Sequence, residues 1–113
     1  MNRVRTLSLG LSLLAAGACG ATLAPRPTVT YRIDAPLCSM KLPVIFSIDN
    51  VEVGRDTFVV QLANEHLASR AFETSVGKHV LSARSLAGYL WPDKTVTLDA
   101  GAAFTDSLPF YCS

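Results

Sequence analysis

The sequence has little of what marks the common enzyme and nucleic-acid-binding classes. It holds no glycine-rich phosphate loop and no Gly-x-Ser-x-Gly nucleophile elbow. Charge is sparse, at 17 % of residues, and nearly balanced, with ten Lys and Arg against nine Asp and Glu. A nucleic-acid partner needs a clustered basic surface, so none is expected. Histidine is limited to His66 and His79. Neither has neighbours at metal-ligand spacing, because Glu65 beside His66 points to the opposite face of an extended chain. The oxygen-rich group Asp49, Asn50, Glu52 and Asp56 lacks the ligand order of a calcium loop, and Asp and Asn serve turns without any ion. No metal and no cofactor is expected. Serines are many, but none has the positioned base and third orienting group that a nucleophile needs. The expectation is a non-enzyme.

Long apolar runs are also missing. Leu7 to Ala18 is about a dozen residues, short of the roughly 20 that cross a bilayer. Arg3 and Arg5 precede it and small residues end it, the layout of a secretory signal over residues 1–18. Losing it removes two arginines, and the formal charge of +1 becomes −1 (+1 − 2). Its end, Leu13-Leu14-Ala15-Ala16-Gly17-Ala18-Cys19, resembles the lipobox of bacterial lipoproteins, with Ala16 where that family usually has Leu. The resemblance implies a diacylglycerol anchor on Cys19. It also implies outer-membrane sorting, since Gly20 stands where an inner-membrane retention signal has aspartate. An ordinary signal peptidase would also accept Ala16-Gly17-Ala18.

Cysteine is scarce, at three. An odd number in an exported chain asks for an explanation. With Cys19 lipidated, Cys38 and Cys112 remain to pair in an oxidising compartment. Two free thiols, or a bridge that uses Cys19, are the alternatives.

After the signal, residues 19–27 hold Pro25 and Pro27 without periodicity and read as a flexible tether. The domain is placed at 28–113. Its centre is Leu42–Arg84, where Val44, Phe46 and Ile48 alternate, then Phe58, Val60 and Leu62, then His79, Leu81 and Ala83. A period of two puts each set on one sheet face. His79, in phase with the apolar set, is expected to be a structural residue bonded to a backbone carbonyl. Val29, Tyr31 and Ile33 predict a first strand. Short strands are predicted at Val44–Ile48, Val51–Gly54, Thr57–Leu62, Lys78–Ser85, Thr95–Leu98 and Leu108–Cys112, with a turn at Arg55-Asp56; Leu67–Thr74 suits helix or strand, and its short length between strands favours strand. Seven or eight short strands with regular turn signals predict an antiparallel, Ig-like β-sandwich.

The segments Ile48-Asp49-Asn50-Val51-Glu52-Val53-Gly54 and Gly77-Lys78-His79-Val80-Leu81-Ser82-Ala83 resemble a PEGA-type domain. That family implies a small extracytoplasmic β-module tied to envelope proteins, without catalytic residues. Asn50 stands where glycine is usual, and Thr74-Ser75-Val76-Gly77 replaces the family's Pro-Glu-Gly-Ala-like tetrad.

The candidate partner or ligand loop is Tyr89-Leu90-Trp91, followed by Pro92. Trp91 is the only tryptophan, a residue enriched at binding hot spots, and its alternative role is to cap the core. The functional expectation is a lipid-anchored cell-envelope protein, in the outer membrane and facing the periplasm or cell surface. It would act as a binding or structural accessory, with an envelope protein or cell-wall glycan as partner. The second reading is a periplasmic or secreted hydrolase inhibitor. Small lysozyme-inhibiting lipoproteins are the analogy, but Ala87-Gly88-Tyr89 does not match their Ser-Gly-x-x-Tyr motif.

Overall fold

The structure, a computed structural model, describes residues 24–35, 38–61 and 65–111. These residues form seven strands and no helix: β1 (Thr28–Asp34), β2 (Met40–Ile48), β3 (Val51–Val60), β4 (Phe72–Glu73), β5 (Gly77–Ser85), β6 (Lys94–Leu98) and β7 (Ala103–Pro109). One sheet has the order β4-β1-β7 and the other β3-β2-β5-β6. They pack face to face as a β-sandwich.

The alternating residues build the interface between the sheets. Val29, Tyr31 and Ile33 of β1 meet Leu42, Val44, Phe46 and Ile48 of β2 and Leu81 and Ala83 of β5 in one buried cluster. The Tyr31 ring stacks on Phe46 at 4.4 Å between centroids, and Phe72 and Phe58 pack edge-on around the pair. Each such ring contributes about 1.5–3 kcal/mol by leaving water. Burial, and then the nearby Asp106 carboxylate, push the Tyr31 hydroxyl pKa up. The neutral hydroxyl donates to the Ser47 carbonyl at 3.1 Å, tying one sheet to the other.

Several sequence expectations are corrected. Arg55-Asp56 does not turn; β3 runs unbroken from Val51 to Val60. A bulge accommodates the change instead, since Phe46 pairs with Gly54 but Ser47 pairs with Glu52, leaving Val53 as the extra residue. β-Branched residues on both sides of Arg55 and Asp56 outweigh their turn preference. The sheets are not wholly antiparallel, because β7 pairs with β1 in parallel, from Thr28↔Ala103 to Asp34↔Pro109. The last strand therefore begins at Ala103, not Leu108. Leu67–Thr74 contributes only the two residues of β4, plus an isolated bridge at Ala68.

The end of the expected tether is part of the domain. Pro27 is fully buried, its carbonyl accepts from Thr74 N at 3.0 Å, and the Pro25 carbonyl accepts from Gly101 N at 2.9 Å. Prolines lack a donor but keep their acceptor, so they suit this one-sided docking. The signal segment and Cys19 lie outside the described residues.

Candidate binding groove

A groove of about 420 Å³ lies on the outer face of the four-stranded sheet. Cross-strand register sets its floor. In one row Ile45 lies between Arg55 of β3 and Arg84 of β5. In the next, Ser47 lies between Glu52 and Ser82. The β2–β3 turn supplies one wall through Asn50, and the segment after β5 supplies the other through Leu90, Trp91 and Asp93. Ile45 belongs to the outward-facing set, yet it is only 3 % exposed. The long stems of arginines are able to cover apolar surface in this way.

The groove is lined mainly by polar side chains that are open to water. Glu52 is held by Arg55, which donates through Nε at 2.9 Å and Nη2 at 3.2 Å. That pairing, with the Arg84 charge nearby, holds the Glu52 carboxyl below its usual range. No hydrogen bond within the described residues reaches the side chains of Ser47, Asn50, Ser82, Arg84 or Asp93.

The predicted Tyr89-Leu90-Trp91 site divides into two roles. Trp91 is not an exposed anchor: it is 4 % exposed, and its Nε1 donates to the Pro109 carbonyl at 2.7 Å. A large indole gains more from the core than from water once its one donor has a partner. Tyr89 packs edge-on against it at 4.9 Å and against Phe110 at 5.4 Å, and Phe110 lies tilted against it at 6.1 Å. Leu90 stays 68 % exposed at the groove rim. Ser85 fixes the loop, because its Oγ accepts from Tyr89 N at 2.9 Å and its own N–H donates to the Tyr89 carbonyl at 2.8 Å. Gly88 has φ of +100°, a conformation that side chains rarely adopt.

A second polar cluster lies beside the β2–β3 turn. Ile48 pairs with Val51, so Asp49 and Asn50 alone make that turn, with φ of 53° and 66°. Both residues tolerate the left-handed region required there. Asp49 also reaches β5: Oδ1 accepts from Val80 N at 2.8 Å, and Oδ2 accepts from His79 Nδ1 at 2.6 Å. The other ring nitrogen of His79 donates to the Ser75 carbonyl at 2.7 Å. Two acceptors facing the two nitrogens favour the doubly protonated imidazolium form of His79. The Asp49 bond, then the Ser75 carbonyl, raise the His79 pKa above its ordinary 6.5.

Asp49, His79 and Ser75 stand in the order of a hydrolase triad, with Ser75 Oγ at 3.3 Å from Nε2. The Nε2 atom is committed to the Ser75 carbonyl, and an imidazolium has no lone pair to take a hydroxyl proton. The expected carbonyl partner of His79 is present; the Asp49 partner was not anticipated.

The remaining sequence candidates are placed singly. Asp49, Glu52 and Asp56 each serve a different partner, and among the described residues no three His, Cys, Asp or Glu gather as metal ligands. Asp56 Oδ2 meets His66 Nε2 at 2.7 Å, linking β3 to the His66 bridge. Cys38 is buried at the lead-in to β2. Cys112 lies outside the described residues. No protein-family model matches the chain, and no curated protein matches it.

Proposed function

We propose that the protein is an exported, lipid-anchored cell-envelope component that works as a non-catalytic binding or structural accessory module. The observation that carries this reading is the groove on one sheet face, lined by polar side chains without protein partners among the described residues, with exposed Leu90 at its rim. The polarity of the fold agrees with an anchor. Pro25–Pro27 docks beside Thr74 and Gly101 at one end, while exposed Leu86, Tyr89 and Tyr111 gather where β1 and β7 end. An anchor at Cys19 would leave those residues turned away from the membrane. The lipobox-like terminus and the PEGA-like segments support the same placement, and an envelope protein or cell-wall glycan remains the proposed partner.

The Cys38–Cys112 bridge belongs to this proposal. Phe110 N donates to the Asp34 carbonyl at 2.9 Å, so β1 and β7 finish side by side. From that point only a few residues lead to either cysteine. Such a bridge would stabilise the fold by about 4 kcal/mol on the chain-entropy account.

Fractionation of intact cells tests the anchor. The wild-type protein is expected in the membrane fraction with a diacylated Cys19, and Cys19→Ser in the soluble fraction. An unmodified, soluble wild-type protein would refute the reading.

A further inference from the structure

The chemistry of the groove narrows what it would hold. Its donors are the Arg84 guanidinium, the Asn50 amide and the Ser47 and Ser82 hydroxyls; its acceptors are the Asp93 and Glu52 carboxylates. Leu90, exposed at the rim, provides an aliphatic surface beside them.

Three ligand classes fit this set poorly. A phosphate or polyanion would meet two carboxylates for one free guanidinium, a repulsive balance at short range. An extended peptide adds to a sheet by main-chain pairing along an edge, but the groove floor is a face whose backbone is already paired across β3, β2 and β5. A wholly apolar ligand would leave the five unsatisfied side chains dry and unpaired, which costs about 1–3 kcal/mol for each buried group.

A pyranose fits the same set well. Its ring carries hydroxyls that both donate and accept, so carboxylates, amides and guanidinium satisfy them together. Its C–H face is apolar and able to lie against Leu90. The volume of about 420 Å³ falls in the lower part of the range of small-ligand sites, which start near 300 Å³.

We infer that this groove is a saccharide-binding subsite that takes one or two pyranose units of a glycan chain, gripped between Arg84 on β5 and Asp93 ahead of β6. The inference rests on the binding-module reading and gives it a ligand class. It does not depend on the anchor.

The test is a titration of the full exported protein, in detergent micelles, with chitotetraose. Amide resonances are followed by NMR, with an acidic tetrapeptide as the contrasting probe. Saturable shifts at Ser47, Ser82 and Arg84 are expected. Arg84→Ala and Asp93→Ala should each weaken binding at least fivefold, with spectra otherwise folded. Thr105→Ala, on the exposed side of β7, should leave affinity unchanged. Arg84 and Asp93 are exposed, so neither change removes a side chain from between the sheets. The inference fails if chitotetraose moves no groove resonance up to its solubility limit, if the peptide alone moves them, or if the Arg84 and Asp93 variants bind as wild type does. Such a failure with intact Cys19-dependent membrane partition removes the saccharide and keeps the anchored module. Saturable binding by a protein that never partitions with membranes does the reverse.

Discussion

Replacing His79 should expose how much of this sandwich depends on one buried charge. The imidazolium joins three segments: the β2–β3 turn through Asp49, the start of β5, and the Ser75 loop. Thr74, next to Ser75, in turn holds Pro27 and Arg26. The side chain is 7 % exposed, so solvent screens it little. A hydrogen bond to a charged group contributes about 1.5–3 kcal/mol, and His79→Ala removes two while leaving the Ser75 carbonyl short of a donor. The expected destabilisation is therefore roughly 2–5 kcal/mol, limited by any water that enters to replace the ring. For a domain of this size the thermal midpoint should fall by at least about 8 °C.

The pH dependence of that loss identifies its cause. His79 has a folded pKa above its ordinary 6.5, so its contribution is complete below pH 6.5 and fades as pH rises through the folded value. Asp49 is shifted the other way, first by the Val80 N–H and then by His79. Its contribution is present above its ordinary 3.8 and is lost as pH falls through the lower folded value. Wild-type protein should be most stable between about pH 4 and 6.5 and lose stability toward pH 9, whereas His79→Ala should be flatter over pH 6–9. Thermal melts of both proteins across that range, with the His79 ring titrated by NMR, provide the measurement. A ring that titrates at or below 6.5, or equal slopes for the two proteins, would refute the imidazolium assignment.

Other substitutions probe the remaining joints. Gly54→Ala places a Cβ 2.6 Å from the Phe72 ring, between the two sheets, and should cost about 1–3 kcal/mol in urea unfolding. Lys94→Met strips the partner, at 2.9 Å, from the buried Asp106 carboxylate; since the lysine is half-exposed, a loss of about 1–3 kcal/mol is expected, largely recovered by adding Asp106→Asn. Trp91→Phe shrinks a buried ring and removes the donor to Pro109, and should cost about 2–4 kcal/mol in the same assay. Cys38→Ser and reduction of the wild-type protein should lower the thermal midpoint by the same amount, and a reduced wild type as stable as the oxidised protein would contradict the bridge.

The core was legible because a period of two survives any register. Val44, Phe46, Ile48, Leu81 and His79 fall inward however the strands pair. What depends on pairing was not legible. Arg84 lies far along the chain from Ser47 and Glu52 and shares their groove only because β2 sits between β3 and β5. Read in order, they are scattered charges on a solvated face. The Asp49–His79 bond has the same origin, since Asp49 already had a sufficient role in its turn. The parallel β1–β7 pair escaped notice because alternation is the same in parallel and antiparallel strands. Trp91 was ambiguous for a different reason: whether an indole is buried depends on a distant acceptor, here the Pro109 carbonyl.

The most direct test of a binding module is to ask what touches the groove rim in living cells. A photo-cross-linking residue at position 90, beside the groove, is compared with one at position 105, on the outer side of the other sheet. The account predicts a recurrent adduct of one envelope protein or cell-wall glycan from position 90 that is absent from position 105. The same adducts from both positions, or none from position 90, would contradict it.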